Sequence, residues 1–501
     1  MTLPEPLARV RRSLREAVSP EERAALVFEE SQLVRHLGGF EAILEPNAGT
    51  LGWTPRVVYR SADTLLAFQG AGSFRDVSAE SFVGDPTPAT SLTLRGLYHP
   101  DHLDRRYPHA DMRSIREMAR KSLEDDWGTE DWTDRLAACE SLRQASDLSI
   151  AMTFLSSEAA ARVLASPNLR AERLRLDASH LSAEAFAPLL TSPLRSTLRS
   201  LSIVARDDQD ADPTFGDALL GYLGRYLHLE ELALPRVPVS TGALVRFLER
   251  EGSRLRRLDL EEVVLGDAGL HALARSPALQ TIDTLNLAMV AGYDADGDFA
   301  SVGPGLKALL GSPYFRVRRL NLERCRGAAS AVAAARPETL RELRVDAASH
   351  ELERVLALSQ LEALSVSPDY DDPFESGAFA RASLGCLEQL RIGASGGWDA
   401  SLLVDCDLPR LRVLDVPTTN RLVEAMAGTK RFGCLNTWVL QIERAMMSYD
   451  ANFAMEAIAE PLLQAKLPRL AHLVAVGALE DSIRRRLASR YWVVDPWSPE
   501  F

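Results

Sequence analysis

A chain of 501 residues, 46% hydrophobic and 25% charged, is composed like an ordinary folded protein, but it is too long for one core unless that core grows in one dimension. A formal net charge of -13 argues against a general nucleic-acid binder, which needs a clustered excess of Lys and Arg. Five cysteines without a C-x-x-C pair give no disulfide framework, and no apolar run approaches the roughly 20 residues of a membrane span.

In chain order, residues 1–85 lack the pattern that dominates the rest. Leu7, Val10, Leu14 and Val18 predict one helix, and Leu26, Val27, Leu33, Val34 and Leu37 a second. Arg9, Arg11, Arg12 and Arg15 interrupt the apolar run that a signal peptide would need, so a reduced, cytoplasmic protein is expected. β-like runs follow at 40–44 and 56–59, and the segment reads as an α+β N-terminal cap domain. Residues 86–140 read as degenerate first repeats. Ser91–Leu94 predicts a strand, and Leu92 lies 56 residues before Leu148, which leaves room for one more repeat between them. His99, His102 and His109 lie in this stretch beside Asp101, Asp104 and Asp111. Imidazole and carboxylate both bind zinc, but the spacing fits no standard zinc motif, so a polar loop is preferred and neither metal nor cofactor is expected.

From 141 to 480 one pattern recurs. Leu255-Arg-Arg-Leu258-Asp-Leu260 reads L-x-x-L-x-L, and the same spacing returns at Leu198/Leu201/Ile203, Leu229/Leu232/Leu234, Ile282/Leu285/Leu287 and Val317/Leu320/Leu322. It continues at Leu340/Leu343/Val345, Leu361/Leu364/Val366, Leu387/Leu390/Ile392 and Leu411/Leu414/Val416. Looser copies stand at Leu148/Ile150, Leu174/Leu176, Leu440/Ile442 and Leu470/Leu473. Alternate apolar positions predict a short strand, and the period then changes to that of a helix, as in Leu265-Gly-Asp-Ala-Gly-Leu270-His-Ala-Leu273-Ala, ended by Ser276-Pro277. Most intervals fall in the window of roughly 20–29 residues of leucine-rich repeats.

On these residues the chain resembles the leucine-rich-repeat family, and within it the ribonuclease-inhibitor-like class with a helix in every repeat. The resemblance implies an α/β solenoid: a parallel sheet lining a concave side and helices covering a convex one. One departure stands out. The family places Asn or Cys three residues after the last strand leucine, and here only Cys325 does so; Val237, Val263 and Val290 are among the replacements. Irregular stacking is the expectation. Residues 481–501 are expected to form a C-terminal cap helix and an aromatic tail (Tyr491, Trp492, Trp497, Phe501) packed over the last repeat.

No catalytic constellation emerges, and the protein is not expected to be an enzyme. Gly393-Ala-Ser395-Gly-Gly397 matches the G-x-S-x-G nucleophile elbow, but it leaves an ordinary repeat strand, where a glycine-rich turn is the simpler reading. An enzyme or metalloprotein with its site in residues 1–140, the repeats selecting its substrate, is the alternative.

Binding residues follow from the repeat geometry. Side chains between and after the strand leucines point toward a bound partner: Arg173, Arg175, Arg257, Asp259, Glu261, Asn286, Arg319, Asn321, Glu323, Glu342, Arg344, Asp346, Arg391 and Asp415. Mixed signs in adjacent lanes suit a polar protein surface and suit a polyanion poorly. Three acidic insertions follow strands: Asp207, Asp208, Asp210 and Asp212; Asp294, Asp296 and Asp298; Asp369, Asp371 and Asp372. They are expected along one rim, either solvated or facing a partner with a basic surface. The expected function is therefore a non-enzymatic protein-binding scaffold (an adaptor, inhibitor or sensor subunit) that binds neither nucleic acid nor membrane.

Overall fold

The computed structural model describes residues 40–46, 53–60, 64–69, 72–78, 91–95, 131–151, 157–177, 181–205, 213–224, 229–251, 254–291, 303–368, 384–393, 406–417, 420–429, 431–441, 455–470, 472–476 and 490–494, with single positions besides. The helices expected before residue 38, the histidines of 99–109 and all three acidic insertions lie outside them.

The strands in chain order are β1 (Phe40–Pro46), β2 (Trp53–Arg60), β3 (Thr64–Gln69), β4 (Gly72–Ser78), β5 (Ser91–Arg95), β6 (Asp147–Ala151), β7 (Arg173–Asp177), β8 (Ser200–Val204), β9 (Glu231–Ala233) and β10 (Arg257–Asp259). There follow β11 (Thr284–Asn286), β12 (Arg319–Leu322), β13 (Glu342–Ala347), β14 (Ala363–Pro368), β15 (Gln389–Ile392), β16 (Val413–Pro417), β17 (Thr437–Gln441), β18 (His472–Val476) and β19 (Trp492–Val494). The chain forms two compact units, Tyr59–Val264 with Ser276–Thr281, and Met1–Val58 with Leu265–Arg275 and Ile282–Phe501.

In the first unit β3 and β4 pair antiparallel, and from β4 to β10 each strand pairs parallel with the next. Leu148, Leu174, Leu201, Leu232 and Leu258 stand in register down this stack, each at most 2% exposed. Helices Asp131–Ala138, Ser157–Leu164, Thr214–Leu223 and Thr241–Glu251, with a 3-10 helix at Ala183–Leu190, pack side by side between the strands of the sequence. The repeat expected between Leu92 and Leu148 is absent from the stack. β5 pairs directly with β6, Leu92 opposite Leu148, so the intervening chain is an insertion.

The second unit repeats the plan. β11 to β19 pair parallel in sequence, and Leu285, Leu320, Leu343, Leu364, Leu390, Leu414, Trp438 and Leu473 form its buried column. Helices Gly266–Ala274, Gly303–Leu310, Ala328–Ala335, Ser349–Leu356, Asn420–Gly428 and Met455–Gln464 belong to it. Two expectations change here. The marker of β17 is Trp438 with Leu440, not Leu440 with Ile442, because the tryptophan fills the central leucine position. Trp492 is not part of a packed tail but opens β19, which extends the sheet beyond β18 with Leu473 opposite Val493.

Uneven repeat lengths do not disturb strand stacking. Ten carbonyls just ahead of a strand, from Ser146 to Arg412, each accept two N–H groups from the repeat that follows: Glu172 O takes Arg199 and Ser200, and Arg341 O takes Glu362 and Ala363. One oxygen with two lone pairs thus fixes the register of its neighbour, whatever the length of the helix between. Irregular stacking was the expectation; among the described strands the register is uniform.

Candidate functional site

Alternation along each strand sends the leucines toward the helices and the intervening side chains to the opposite face. In the first unit Asp147, Arg173, Ser200, Glu231 and Arg257 share one lane across adjacent strands. Arg173 Nε lies 3.4 Å from Asp147, Arg257 Nη1 lies 3.6 Å from Glu231, and Ser200 Oγ donates to Glu231 at 2.9 Å. Arg175, in the next lane, is exposed and has no carboxylate partner among the described residues.

In the second unit Arg319 is bracketed by acids, 3.7 Å from Asp283 and 3.1 Å from Glu342. Glu342 is half-buried, and loss of water around its carboxyl pushes its pKa up despite the attraction of Arg319. Asn286, Asn321, Arg344, Ser365, Arg391 and Asp415 share the neighbouring lane. Arg391 reaches Asp415 at 3.2 Å, and Asp415 is only 5% exposed, so this carboxylate is held inside rather than offered to a partner.

Three further residues expected to face a partner use their side chains on their own backbone. Asp259, Asn286 and Asn321 accept from the N–H groups of Glu261, Ala288 and Glu323 at 3.0, 3.1 and 3.0 Å. These Asx turns end the strand and lead into the left-handed residues Glu262, Met289 and Arg324; Arg236 takes the same place in the repeat of Ala233 without one, and all four have φ between 56° and 63°. Such a backbone costs of order 1–3 kcal/mol per residue, and hydrogen bonds offset it. Arg236 N donates to Glu261 O at 2.8 Å, Met289 N to Glu323 O at 3.0 Å, and Arg324 N to the Asp346 carboxylate at 2.7 Å. Arg236 and Glu262 also form a two-bond ion pair, at 2.9 and 3.0 Å.

The left-handed turn drives the following residue inward, which accounts for the departure at the turn. Val237, Val263, Val290 and Cys325 are each at most 1% exposed. Their N–H groups close the turn onto Leu234, Leu260, Leu287 and Leu322 at 3.1–3.2 Å. A valine serves where no side-chain donor is required. Cys325 does donate, from Sγ to Leu287 O at 3.2 Å, and burial pushes its pKa up to about 11, so it stands as a neutral packed thiol.

A second device, which the leucine pattern does not convey, is a buried Ser-Pro step after the helix. Ser166, Ser192, Ser276 and Ser312 each precede a proline and are at most 9% exposed. Ser166 Oγ donates to Ala137 O, and Ser312 Oγ to Ala274 O at 2.6 Å, which ties the end of one helix to the repeat before it. The signal was legible as four Ser-Pro pairs, of which only Ser276-Pro277 was read, as a helix stop.

Of the remaining candidates, Glu261 and Glu323 are half-buried donors to the Asx turns through their backbone, and Arg344 lies within reach of the Glu342 charge. Gly393, the first residue of the G-x-S-x-G pattern, is explained by packing: a Cβ there would lie 2.5 Å from Ser367 Oγ. The rest of that pattern, like the acidic insertions, falls outside the described residues. Among the described residues no group of three His, Cys, Asp or Glu side chains could hold a metal, and no helix is long and apolar enough to cross a membrane.

Strand, turn and helix, repeated in register around a leucine column in each unit, define a leucine-rich-repeat fold of the α/β kind. No known protein family matches the sequence, and no curated protein does. Solved structures with a similar fold include Rad7 in its complex with Elc1 from yeast, 14% identical over 78% of this chain and 88% of that one, at a TM-score of 0.41. An internalin of Listeria monocytogenes is 18% identical over 70% of this chain and 97% of its own, at a TM-score of 0.30. The mouse RP105/MD-1 complex gives 15% identity over 70% and 59%, at 0.35. Superpositions this loose carry no functional argument.

Proposed function

We propose that the chain is a non-enzymatic, cytoplasmic protein-binding scaffold (an adaptor, inhibitor or sensor subunit) that engages a partner protein through the strand faces of its repeats and the acidic insertions that follow β8, β11 and β14. The observation that carries this reading is the pre-paired state of the strand face. Arg173, Arg257 and Arg319 already lie beside neighbouring carboxylates, so their positions are biased before a partner arrives and less side-chain freedom is left to lose. Paired charges of both signs suit a protein surface; a polyanion would have to displace the acids first.

Arg175 is the residue to change, because its side chain is exposed and its reversal leaves the ion pairs of the face intact. Immobilised wild-type protein should retain a defined partner from the source cell extract that Arg175→Glu retains at least about tenfold less, with unchanged circular dichroism. Equal recovery on both proteins would remove the strand face from the interface.

A further inference from the structure

In the second unit the edge where the chain enters each strand changes character along the stack. Near its start the arginines of this edge are occupied. Arg318 lies 3.9 Å from Asp283, Arg341 lies 3.7 Å from Glu362 and donates to Glu338 O and Leu340 O, and Arg316 donates to Phe315 O at 2.8 Å. Toward β16–β18 the neutralisation becomes incomplete. Arg410, Lys466 and Arg469 are exposed, and none has a carboxylate partner among the described residues. Arg412, 65% exposed at its side chain, touches Glu388 at 3.6 Å; among the described residues Asp407 is the other acid at this edge.

The spacing of these cations is set by the fold. Leu411, Leu435 and Leu470 close the same turn in three consecutive repeats, with N–H bonds of 3.1–3.2 Å to Leu408, Phe432 and Leu467. Arg410, Cys434 and Arg469 therefore occupy one position, one per repeat, and Arg469 Nη1 lies 3.5 Å from Cys434 Sγ. Leu408-Pro409-Arg410-Leu411 and Leu467-Pro468-Arg469-Leu470 are the same four residues. Both leucines of each are buried, and proline fixes the backbone that presents the arginine. Two strand spacings of about 4.8 Å put Arg410 and Arg469 about 10 Å apart, close to the roughly 9 Å that one turn of an extended polyproline II segment covers, where every third side chain returns to the same face.

We propose that the strand-entry edge of β16–β18 is a docking surface for an acidic, extended protein segment, whose carboxylates three residues apart pair with Arg410 and Arg469 while Lys466 adds attraction between or beside them. This surface is separate from the strand face and does not depend on the proposed scaffold function. Guanidinium groups on rigid turns match carboxylates in two-bond geometry. A nucleic acid fits less well, because its phosphates run on past this short edge into a protein of net charge -13.

The test is fluorescence anisotropy with the full chain and a labelled peptide carrying glutamate at every third position, beside a single-stranded oligonucleotide of equal charge. The peptide should bind, more weakly as salt rises, and R410E/K466E/R469E should bind it about tenfold less or worse. A control with the same change in net charge, R246E/R250E/R354E on exposed helix positions, should bind as wild type does. If the reversed triple loses its circular dichroism, the neutral pair R410Q/R469Q decides, with a smaller loss expected. Binding that falls equally in the control, survives the edge variants, or is tighter for the oligonucleotide than for the peptide overturns the proposal.

Discussion

Glu342 shows how a side chain on an exposed-looking strand face acquires a cost. It lies 3.1 Å from Arg319, yet its pKa is raised, because burial outweighs an attraction that Arg319 also gives to Asp283. A carboxyl raised above its unfolded value binds its proton more tightly in the folded protein. It therefore favours folding fully at pH below its unfolded pKa and loses that contribution as pH rises through its folded one. The stability of wild type relative to Glu342→Gln should accordingly be greatest in acid and decline as pH climbs through and just above the ordinary carboxylate range. Urea midpoints of both proteins at stepped pH test this, and a difference that grows in favour of wild type with rising pH would show that the Arg319 pair dominates. None of this was legible in the sequence. Glu342, Asp259 and Asn321 looked equivalent there, as polar residues between leucines; pairing and Asx turns separate them, and both depend on what the adjacent strand or the next two backbone units present.

At the scale of single elements, the last repeats show which features a repeat pattern conveys. Leucines at L-x-x-L-x-L mark strands because the pattern is the burial pattern, but β17 puts Trp438 at the central position and β19 has none of the leucines, so both were misread. The end of helix Met455–Gln464 is closed by residues that looked like a tail. Tyr491 Oη donates to Leu462 O at 2.5 Å, Arg490 donates to Leu463 O and, at 2.7 Å, to Ala465 O, and its guanidinium lies 5.3 Å from the Tyr491 ring centroid. These bonds satisfy carbonyls that a helix leaves unpaired at its C-terminus, where a positive charge is also favoured. The tyrosine is buried and its pKa is pushed up to about 12, so it remains a donor through neutral and mildly alkaline pH. Tyr491→Phe leaves the Leu462 carbonyl with only the Ala465 N–H, 3.2 Å away, and a cost of about 0.5–1.5 kcal/mol is expected. Hydrogen exchange should show it as faster uptake in 455–464 and in β18; unchanged exchange and an unchanged urea midpoint would mean that water replaces the hydroxyl without loss.

For the molecule as a whole, the repeat architecture was legible because each leucine column is a local pattern copied many times. The length of the stacks was not: β5 joins β6 across a long insertion, and only the strand pairing, Leu92 opposite Leu148, reveals that no repeat intervenes. The same locality governs stability. Within the second unit each strand from β12 to β18 pairs with the one before and the one after it, and the doubly accepting carbonyls couple one repeat to the next. Stability in such an array is close to a sum of repeat and nearest-interface terms. Leu343 is fully buried near the start of β13, with Leu320 and Leu364 beside it in the column. Leu343→Ala should cost about 2–5 kcal/mol, from lost burial and the cavity left behind. Because the loss acts through nearest neighbours, exchange should accelerate most in β12–β14 and fade toward β17 and β18. Uniform acceleration from β11 to β18 would show instead that the unit opens as a single cooperative body, its interfaces too strong for any repeat to loosen alone.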